Sequence, residues 1–359
     1  LHRLIRRQRQ MCIRDSKNIL SKNFNVIVVS GTKNPQPSIF KHCKYLHWPM
    51  LKKKYKPLEW FMLFANLRII RKLVERANVV YIPSHTLLPL AVAVKCINPR
   101  VKVVLHLHNY QPLTYTSVML VDKEPNLATD LIVELGEHHS LTRAVTSGML
   151  RPLNKVNLLA LRYADKAICV SRKQLEILVR HIPWLKEKVT IIYNPPPQIP
   201  LKNVKKILSN KPTILYIGGG SYIKGFHLAL RTMSSFIRDK RNVTFYIGGE
   251  LGKDEIRFFN KLSSNIGNHV IILGKISHEK ISAVHYRMWA LLFPSISEEP
   301  LPYTVVEASL AGTIPIAAEV GGIPELLKDS VGRRFLFKPY DYSTLISKIE
   351  RLISMDQQE

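Results

Sequence analysis

Cysteine is scarce in this chain of 359 residues, and long apolar runs are missing from it. The four cysteines, Cys12, Cys43, Cys96 and Cys169, have neither metal-ligand spacing nor disulfide spacing, which is typical of reduced thiols in a cytoplasmic protein. No apolar run reaches the roughly 18 residues that a membrane-spanning helix needs, and none follows the basic N-terminus as in a secretory signal. The sequence therefore predicts neither a structural metal site nor a transmembrane segment.

Acidic residues are also few: 26 Asp and Glu stand against 53 Lys and Arg, which gives a formal net charge of +27. Residues 1–200 hold 32 basic and 11 acidic residues, whereas residues 201–359 hold 21 and 15. A basic half of this kind favours a polyanionic partner, such as nucleic acid, an anionic membrane surface or a phosphate-bearing substrate. A solvated basic face is the weaker alternative.

Short strands and helices alternate along both halves of the chain. In the first half, apolar runs predict strands at 25–30, 79–82, 101–107, 166–170 and 189–193, with helices at 59–77, 87–97 and 153–164. In the second half, strands are predicted at 213–217, 243–247, 270–273, 290–293 and 314–317, with helices at 225–237, 278–287 and 304–311. This alternation predicts an α/β protein of two Rossmann-like, doubly wound domains that face a cleft.

A Pro-rich and then Lys-rich stretch separates the two halves, because proline fixes φ and withholds an amide. We expect an N-terminal acceptor-side domain at 17–195, a linker at 196–211 and a C-terminal donor-side domain at 212–359. Residues 1–16 have no apolar periodicity, and their segment MCIRDS resembles translated sequencing adapter. They are therefore left out of the predicted fold.

A glycine loop, Gly218-Gly219-Gly220-Ser221, leaves a predicted strand and precedes a predicted helix. Glycines let the backbone approach a ligand closely, and helix amides beyond them form an anion site. Lys224 at the start of that helix is unfavourable to the helix dipole, which a bound phosphate would explain. A flexible turn with a solvated lysine is an alternative of equal weight.

Two acids, Glu299 and Glu307, are separated by seven residues in a Pro-rich turn that leads into a predicted helix. Carboxylates at both places can accept hydrogen bonds from sugar hydroxyls. The alternative for Glu307 is a capping box with Thr304, and for Glu299 a solvated loop acid. Spacing alone leaves these alternatives open.

The run FPSISEEPLPYTVVEASLAGTIPIAAEVGGIPE at 293–325 resembles the E-x7-E signature of the retaining glycosyltransferases of family 4, whose fold is called GT-B. The segment YIGGGSYIKGFHLAL at 216–230 is similar to the strand, loop and helix of the same family. In the first half, HLHNY, ICVS and IIYNPP resemble family landmarks in the same order. The resemblance covers residues 17–355 and is most specific around the two glutamates.

The resemblance implies a hexosyltransferase that moves a sugar from a UDP- or GDP-sugar to a glycan or lipid-linked acceptor, with retention and without an added cofactor. It implies that Glu299 holds donor-sugar hydroxyls, Glu307 the ribose and Lys224 the diphosphate, while His108 lies near the transferred sugar. The resemblance thus implies that the catalytic residues are Glu299, Lys224 and His108. It implies that the donor-binding residues are Gly218, Gly219, Gly220, Lys224, Glu299, Leu301, Pro302, Tyr303 and Glu307. No D-x-D motif is found, so no obligatory metal is expected.

Some features depart from the family pattern. An Arg usually stands where this chain has Gly219, and the expected first strand and the last helix after residue 355 are missing, so we expect a chain cut short at both ends. An inactive or binding-only relative is therefore an alternative. A nucleic-acid-binding Rossmann-like protein is less favoured, because the basic residues cluster in the first hundred positions whereas the recognisable site is acidic.

A basic segment at 41–56 alternates lysines with Trp48, Met50, Leu51 and Tyr55. Basic side chains are attracted to anionic lipid, and aromatic side chains enter the interface. The segment predicts a protein that lies peripherally on the cytoplasmic face of a membrane, in agreement with family relatives that act on lipid acceptors. The alternative, of equal weight, is that Trp48 and Leu51 belong to the core.

Overall fold

The computed structural model describes residues 20–33, 43–52, 55–197, 206, 208–264 and 269–355. The chain divides into two compact units. Of the described residues, those within 1–115, 150–169 and 178–192 form the first unit, and those within 116–149, 170–177 and 193–359 form the second. Two segments from the first half of the sequence thus pack with the C-terminal half, and the domain bounds expected from the sequence stay a prediction.

In chain order, the strands are β1 (Ile27–Ser30), β2 (Lys44–His47), β3 (Val79–Ile82), β4 (Lys102–Leu107), β5 (Lys166–Cys169), β6 (Val189–Ile191), β7 (Thr213–Ile217), β8 (Thr244–Gly248), β9 (Val270–Gly274), β10 (Ala290–Phe293), β11 (Ile314–Ala318) and β12 (Leu336–Phe337). The helices are α1 (Lys56–Ala65), α2 (Leu67–Val74), α3 (Leu90–Ile97), α4 (Leu127–His138), α5 (Leu141–Leu150), α6 (Lys155–Tyr163), α7 (Arg172–His181), α8 (Phe226–Arg238), α9 (Lys253–Ser264), α10 (His278–His285), α11 (Tyr303–Leu310), α12 (Ile323–Leu326) and α13 (Tyr342–Ser354).

The first unit contains a parallel sheet in the order β3-β4-β5-β6 and a separate parallel pair, β1-β2. Val103, Leu105 and Leu107 share one face of β4 and are buried, and His106 on the opposite face is buried as well, as expected of a strand covered on both faces. The predicted single helix at 59–77 is wrong, because α1 ends at Ala65 and α2 begins at Leu67. Asn66 interrupts it: its side-chain amide donates to the carbonyl of Met62 at 2.8 Å, which competes with helical bonding.

The second unit contains a six-stranded parallel sheet in the order β12-β11-β10-β7-β8-β9. Read from the opposite edge, the order is β9-β8-β7-β10-β11-β12, which is a doubly wound order. The chain adds strands from β7 outward to β9 and then returns to place β10 on the other side of β7. Strand β10 is buried throughout, and Phe236 of α8 packs edge to face against Phe245 of β8 in the core. The predicted fold class, α/β with two parallel-sheet Rossmann-like domains, is confirmed.

Within the described part of the chain, no helix has both the length and the apolar character that crossing a membrane requires.

Candidate functional site

The reversal of strand order places two loops side by side at the carboxyl ends of β7 and β10, where doubly wound sheets bind their ligands. The loop after β7 is 218–225, here called the glycine loop, and the loop after β10 is 294–302, called the acidic loop. Lys224 from the first and Glu299 from the second form an ion pair between Nζ and Oε1. The structure therefore brings together two residues that the sequence analysis selected separately.

Lys224 is held inside the protein. Its side chain is 10% exposed, and Nζ lies 5.3 Å from the centroid of the Phe293 ring. Helix α8 begins after it, with Gly225 as N-cap at φ +71. A Cβ at Gly225 would lie 1.8 Å from the Pro294 carbonyl oxygen, so only glycine fits this contact between the loops. The alternative of a solvated lysine in a flexible turn is therefore wrong.

The glycine loop packs against the turn that follows β8. The amides of Gly218 and Gly219 both donate to the carbonyl of Gly248, at 3.1 and 3.0 Å, and that of Gly220 donates to the carbonyl of Glu250 at 3.0 Å. These three amides are thus already bonded within the chain. Their expected role in binding a diphosphate stays a prediction. It depends on how closely a ligand can approach the glycine backbone, and not on amides without a hydrogen-bond acceptor.

The acidic loop is stabilised by the turn of the G-G-x-P-E motif. The amide of Gly322 donates to the carbonyl of Glu299 at 2.9 Å, and that of Gly321 to the carboxylate of Glu298 at 2.6 Å. A Cβ at Gly321 would lie 1.8 Å from the Glu299 carbonyl oxygen, and one at Gly322 would lie 2.3 Å from that of Pro300. Both glycines are therefore required by the close contact that fixes the backbone of Glu299.

Glu307 lies on α11 and is 1% exposed. The N-cap of α11 is Pro302, without a side-chain cap, so Thr304 lies inside the helix. The capping box that was an alternative reading of Glu307 is therefore wrong, because its first member is not at the cap. Between the two glutamates, Leu301 is half-buried, Pro302 is buried, and the Tyr303 hydroxyl donates to the carbonyl of Pro195 at 3.0 Å.

His108 belongs to the first unit and follows β4. Its ring centroid lies 4.1 Å from that of His106, whose Nδ1 is 2.5 Å from the Tyr81 hydroxyl. Burial lowers the pKa of His106 to about 4. Burial, together with the nearby His106 and His85, holds the pKa of His108 well below its usual range. Both rings are therefore neutral at pH 7 and suited to hydrogen bonding with hydroxyls.

Comparison with known proteins identifies the family. The model of Glycosyltransferase Family 4 matches residues 16–195, and that of Glycosyl transferases group 1 matches residues 198–359. The chain belongs to glycosyltransferase family 4. The resemblance stated from the sequence is thus confirmed, and the glycine and acidic loops both lie in the part of this family 4 chain that the second model matches.

Among curated relatives, a component of the phosphatidylinositol N-acetylglucosaminyltransferase of Arabidopsis thaliana is 28% identical over 219 residues, which cover 60% of this chain and 48% of that protein. Glycogen synthase of Mycobacterium tuberculosis is 25% identical over 204 residues, covering 56% and 48%. The chain spans about half the length of these relatives.

Solved structures agree on the fold. Anabaena HepE in complex with UDP-glucose has a TM-score of 0.64 at 17% identity, covering 97% of this chain and 86% of that chain. The lipopolysaccharide outer core galactosyltransferase WaaB has a TM-score of 0.59 at 16% identity, covering 98% and 86%. The family 4 chain therefore has the GT-B fold.

Glu137 and Ser295 both contact the glycine loop, but neither is among the site residues predicted from the sequence. Glu137 lies on α4, a helix that the sequence analysis did not predict, and no motif marks it. Ser295 lies inside the quoted signature, but its part became visible only when its hydroxyl was seen to donate to the carbonyl of Ile223 at 3.0 Å.

We expect Lys224→Ala to lower diphosphate affinity and turnover by about a hundredfold, because a cation fixed beside a developing anion contributes a few kcal/mol. The exposed Lys253 on α9 is the control, and Lys253→Ala should leave both quantities unchanged. Titration calorimetry with UDP and steady-state kinetics measure the effect. A thermal melt is needed beside them, since Lys224→Ala also leaves Glu299 without its cation. Equal kinetics for the two variants would reject the assignment.

We expect Glu307→Gln to weaken the binding of UDP or GDP by about tenfold, since a hydrogen bond from a ribose hydroxyl to a charged acceptor is stronger than one to a neutral amide. The fold should be retained, because glutamine has nearly the same shape. Glu350→Gln on the exposed face of α13 is the matched control. Unchanged nucleotide affinity in Glu307→Gln would remove the ribose role.

Proposed function

We propose that this chain transfers a hexosyl group from a UDP- or GDP-sugar to a glycan or lipid-linked acceptor, with retention of configuration. The observation that carries the proposal is the buried ion pair of Lys224 and Glu299 at the reversal of strand order, with Glu307 on the next helix. The names of the relatives, a glycogen synthase and an N-acetylglucosaminyltransferase, support a hexosyl donor. The UDP-glucose complex of HepE supports a uridine nucleotide.

In this proposal the ion pair exchanges its partners when the donor binds. Lys224 turns to the diphosphate, and Glu299 accepts from hydroxyls of the sugar, so that each charge keeps a partner of suitable chemistry. The bond between the anomeric carbon and the diphosphate oxygen breaks, and the acceptor oxygen bonds to that carbon from the same face. The acceptor proton leaves with the departing diphosphate, whose developing charge Lys224 stabilises.

His108 is proposed to contact the transferred sugar as a neutral hydrogen-bonding group. Its low pKa suits this role, because a neutral ring can donate to a hydroxyl through one nitrogen and accept through the other.

Among the described residues, no group of three or more His, Cys, Asp or Glu is arranged to hold a metal ion. The proposal assigns the charge stabilisation to Lys224.

A thermal-shift panel of nucleotides and nucleotide sugars tests this function, because a ligand that binds the native state raises the melting temperature. We expect UDP or GDP and one of their sugars to raise it, and turnover of that sugar to follow. Stabilisation without turnover would select the binding-only alternative. Salt-sensitive DNA binding without any response to nucleotides would select the nucleic-acid alternative and overturn the proposal.

We further propose that the first unit docks on an anionic membrane, through a surface that differs from the one expected. Trp48 and Leu51 of the basic segment are buried, each 8% exposed, and so belong to the core. Of the expected lysines, Lys41, Lys53 and Lys54 lie outside the described residues. The segment at 41–56 therefore does not supply the apolar part of a membrane-binding surface, apart from the exposed Tyr55.

The pair α1 and α2 supplies it instead. Five of its large apolar side chains are exposed within this short stretch: Phe61 by 67% and Leu58, Phe64, Leu67 and Ile69 by about 40% each. The exposed charges beside them are mainly basic, namely Arg68, Arg71, Lys72 and Arg76 against Glu75. Apolar side chains together with cations are the combination that anionic lipid surfaces bind. One relative is part of a phosphatidylinositol N-acetylglucosaminyltransferase, and phosphatidylinositol is an anionic lipid, which supports such a partner.

Vesicle flotation tests the membrane proposal. The protein should float with vesicles that contain phosphatidylserine, not with pure phosphatidylcholine, and high salt should release it. Phe61→Ser, and the combined change of Arg68, Arg71 and Lys72 to Glu, should each abolish flotation. The control changes Lys166, Arg180 and Lys186 to Glu, which reverses as many exposed charges elsewhere in the same unit. If the protein stays in solution with anionic vesicles at low salt, a soluble acceptor replaces the membrane.

A further inference from the structure

Lys224 directly follows Ile223, a residue whose backbone carbonyl and backbone amide are both hydrogen-bonded. The Ile223 carbonyl accepts from the amide of Ile296 at 3.1 Å and from the hydroxyl of Ser295 at 3.0 Å, both in the acidic loop. The Ile223 amide donates in the opposite direction, to Oε1 of Glu137 at 2.8 Å. Both polar groups of this residue are thus bound to side chains or backbone from outside the glycine loop.

Glu137 makes a second bond to the same loop. Its Oε1 also accepts from the hydroxyl of Ser221 at 2.8 Å, so a single carboxylate oxygen spans the loop from Ser221 to Ile223. Between these positions Tyr222 faces the helix at Gly136, where a Cβ would lie 2.3 Å from the ring atom Cδ1. Gly136 leaves room for the Tyr222 ring, and Glu137 bonds to the loop, so α4 packs closely against the glycine loop.

Helix α4 is itself fixed in the second unit. Val133, one turn before Glu137, belongs to a buried apolar cluster with Ile223 and Ile296. At the start of the same helix, the buried Asp130 accepts from the amide of Thr116 at 3.0 Å and from its hydroxyl at 2.7 Å. Asp130, Val133 and Glu137 recur at helical spacing on one face, so the helix presents Glu137 to the loop from a rigid base.

We propose that Glu137 is a positioning residue for Lys224. By holding the Ile223 amide and the Ser221 hydroxyl, it fixes the glycine loop in the shape that delivers Lys224 to Glu299 and, on the proposed function, to the donor diphosphate. Glu137 lies in the half of the sequence that the family 4 model matches, whereas the loop lies in the half that the group 1 model matches. The donor side of the enzyme is therefore incomplete without a helix from the N-terminal half.

The use of one oxygen for both bonds makes the role testable by an isosteric variant. Glu137→Gln retains a carbonyl oxygen that can accept from both donors, whereas Glu137→Ala retains none. Glu134→Ala is the matched control: Glu134 lies one turn earlier on α4, and its carboxylate is 3.6 Å from Arg143 and 3.7 Å from His138. It has no role in the proposed arrangement.

Two measurements on the full chain decide the proposal. In nucleotide-free protein, NMR hydrogen exchange of the Ile223 amide should accelerate by about tenfold or more in Glu137→Ala, because its acceptor is lost. UDP affinity, measured by calorimetry, should fall by about tenfold in the same variant. Glu137→Gln and Glu134→Ala should stay within about threefold of the parent in both measurements.

Unchanged Ile223 exchange in Glu137→Ala would overturn the proposal, and so would a loss of UDP affinity that glutamine does not restore. If the parent protein binds neither UDP nor GDP, the proposed function fails. In that case the exchange of Ile223 still decides whether Glu137 holds the loop, since it is measured without nucleotide.

Discussion

A lysine and a carboxylate that are both withdrawn from water depend on each other, because a buried charge without its partner is strongly destabilising. Lys224 and Glu299, with side chains 10% and 12% exposed, are such a pair, and 75 residues of sequence separate them. Their meeting requires β7 and β10 to be neighbours, which the doubly wound order of the sheet provides. The pair therefore ties the chemistry of the site to the topology of the second unit.

Each member of the pair is held through its backbone rather than through its side chain alone. Two glycines of the G-G-x-P-E turn approach Glu299 and Pro300 so closely that no Cβ would fit. On the other side, the backbone carbonyl of Ile223 is bound by the acidic loop, and the backbone amide of the same residue is bound by Glu137. Such double fixation is what a site needs if its charges have to be in place before the transition state forms.

The parts that the sequence predicts well are those in which pattern and burial coincide. Strands β7 and β10 were predicted with the bounds that the structure has, because parallel strands covered on both faces read as short continuous apolar runs. The bounds of β3 were also predicted, although its first residue, Val79, is 54% exposed. Helices α4 and α5 were not predicted, and α5 shows why: Leu141 is 68% exposed and Met149 77%, so hydrophobicity does not mark its inner face. The contact of Glu137 with Ser221, 84 residues away, has no local pattern at all.

The absence of the family's arginine at Gly219 has a structural counterpart. Gly219 has φ +56, and a Cβ there would lie 2.4 Å from the carbonyl oxygen of Glu250. The backbone that bonds the glycine loop to Gly248 and Glu250 thus excludes any side chain at this position, and an arginine would require a different loop. Lys224 is then the only cation in 218–225. On the proposed function, Lys224 is the cation of this loop that stabilises a departing diphosphate, and its contribution falls as its distance from that charge grows, because the Coulomb energy varies inversely with distance. Rigid placement of Lys224 preserves that contribution, and the hydrogen bonds to the backbone of Ile223 are suited to provide it.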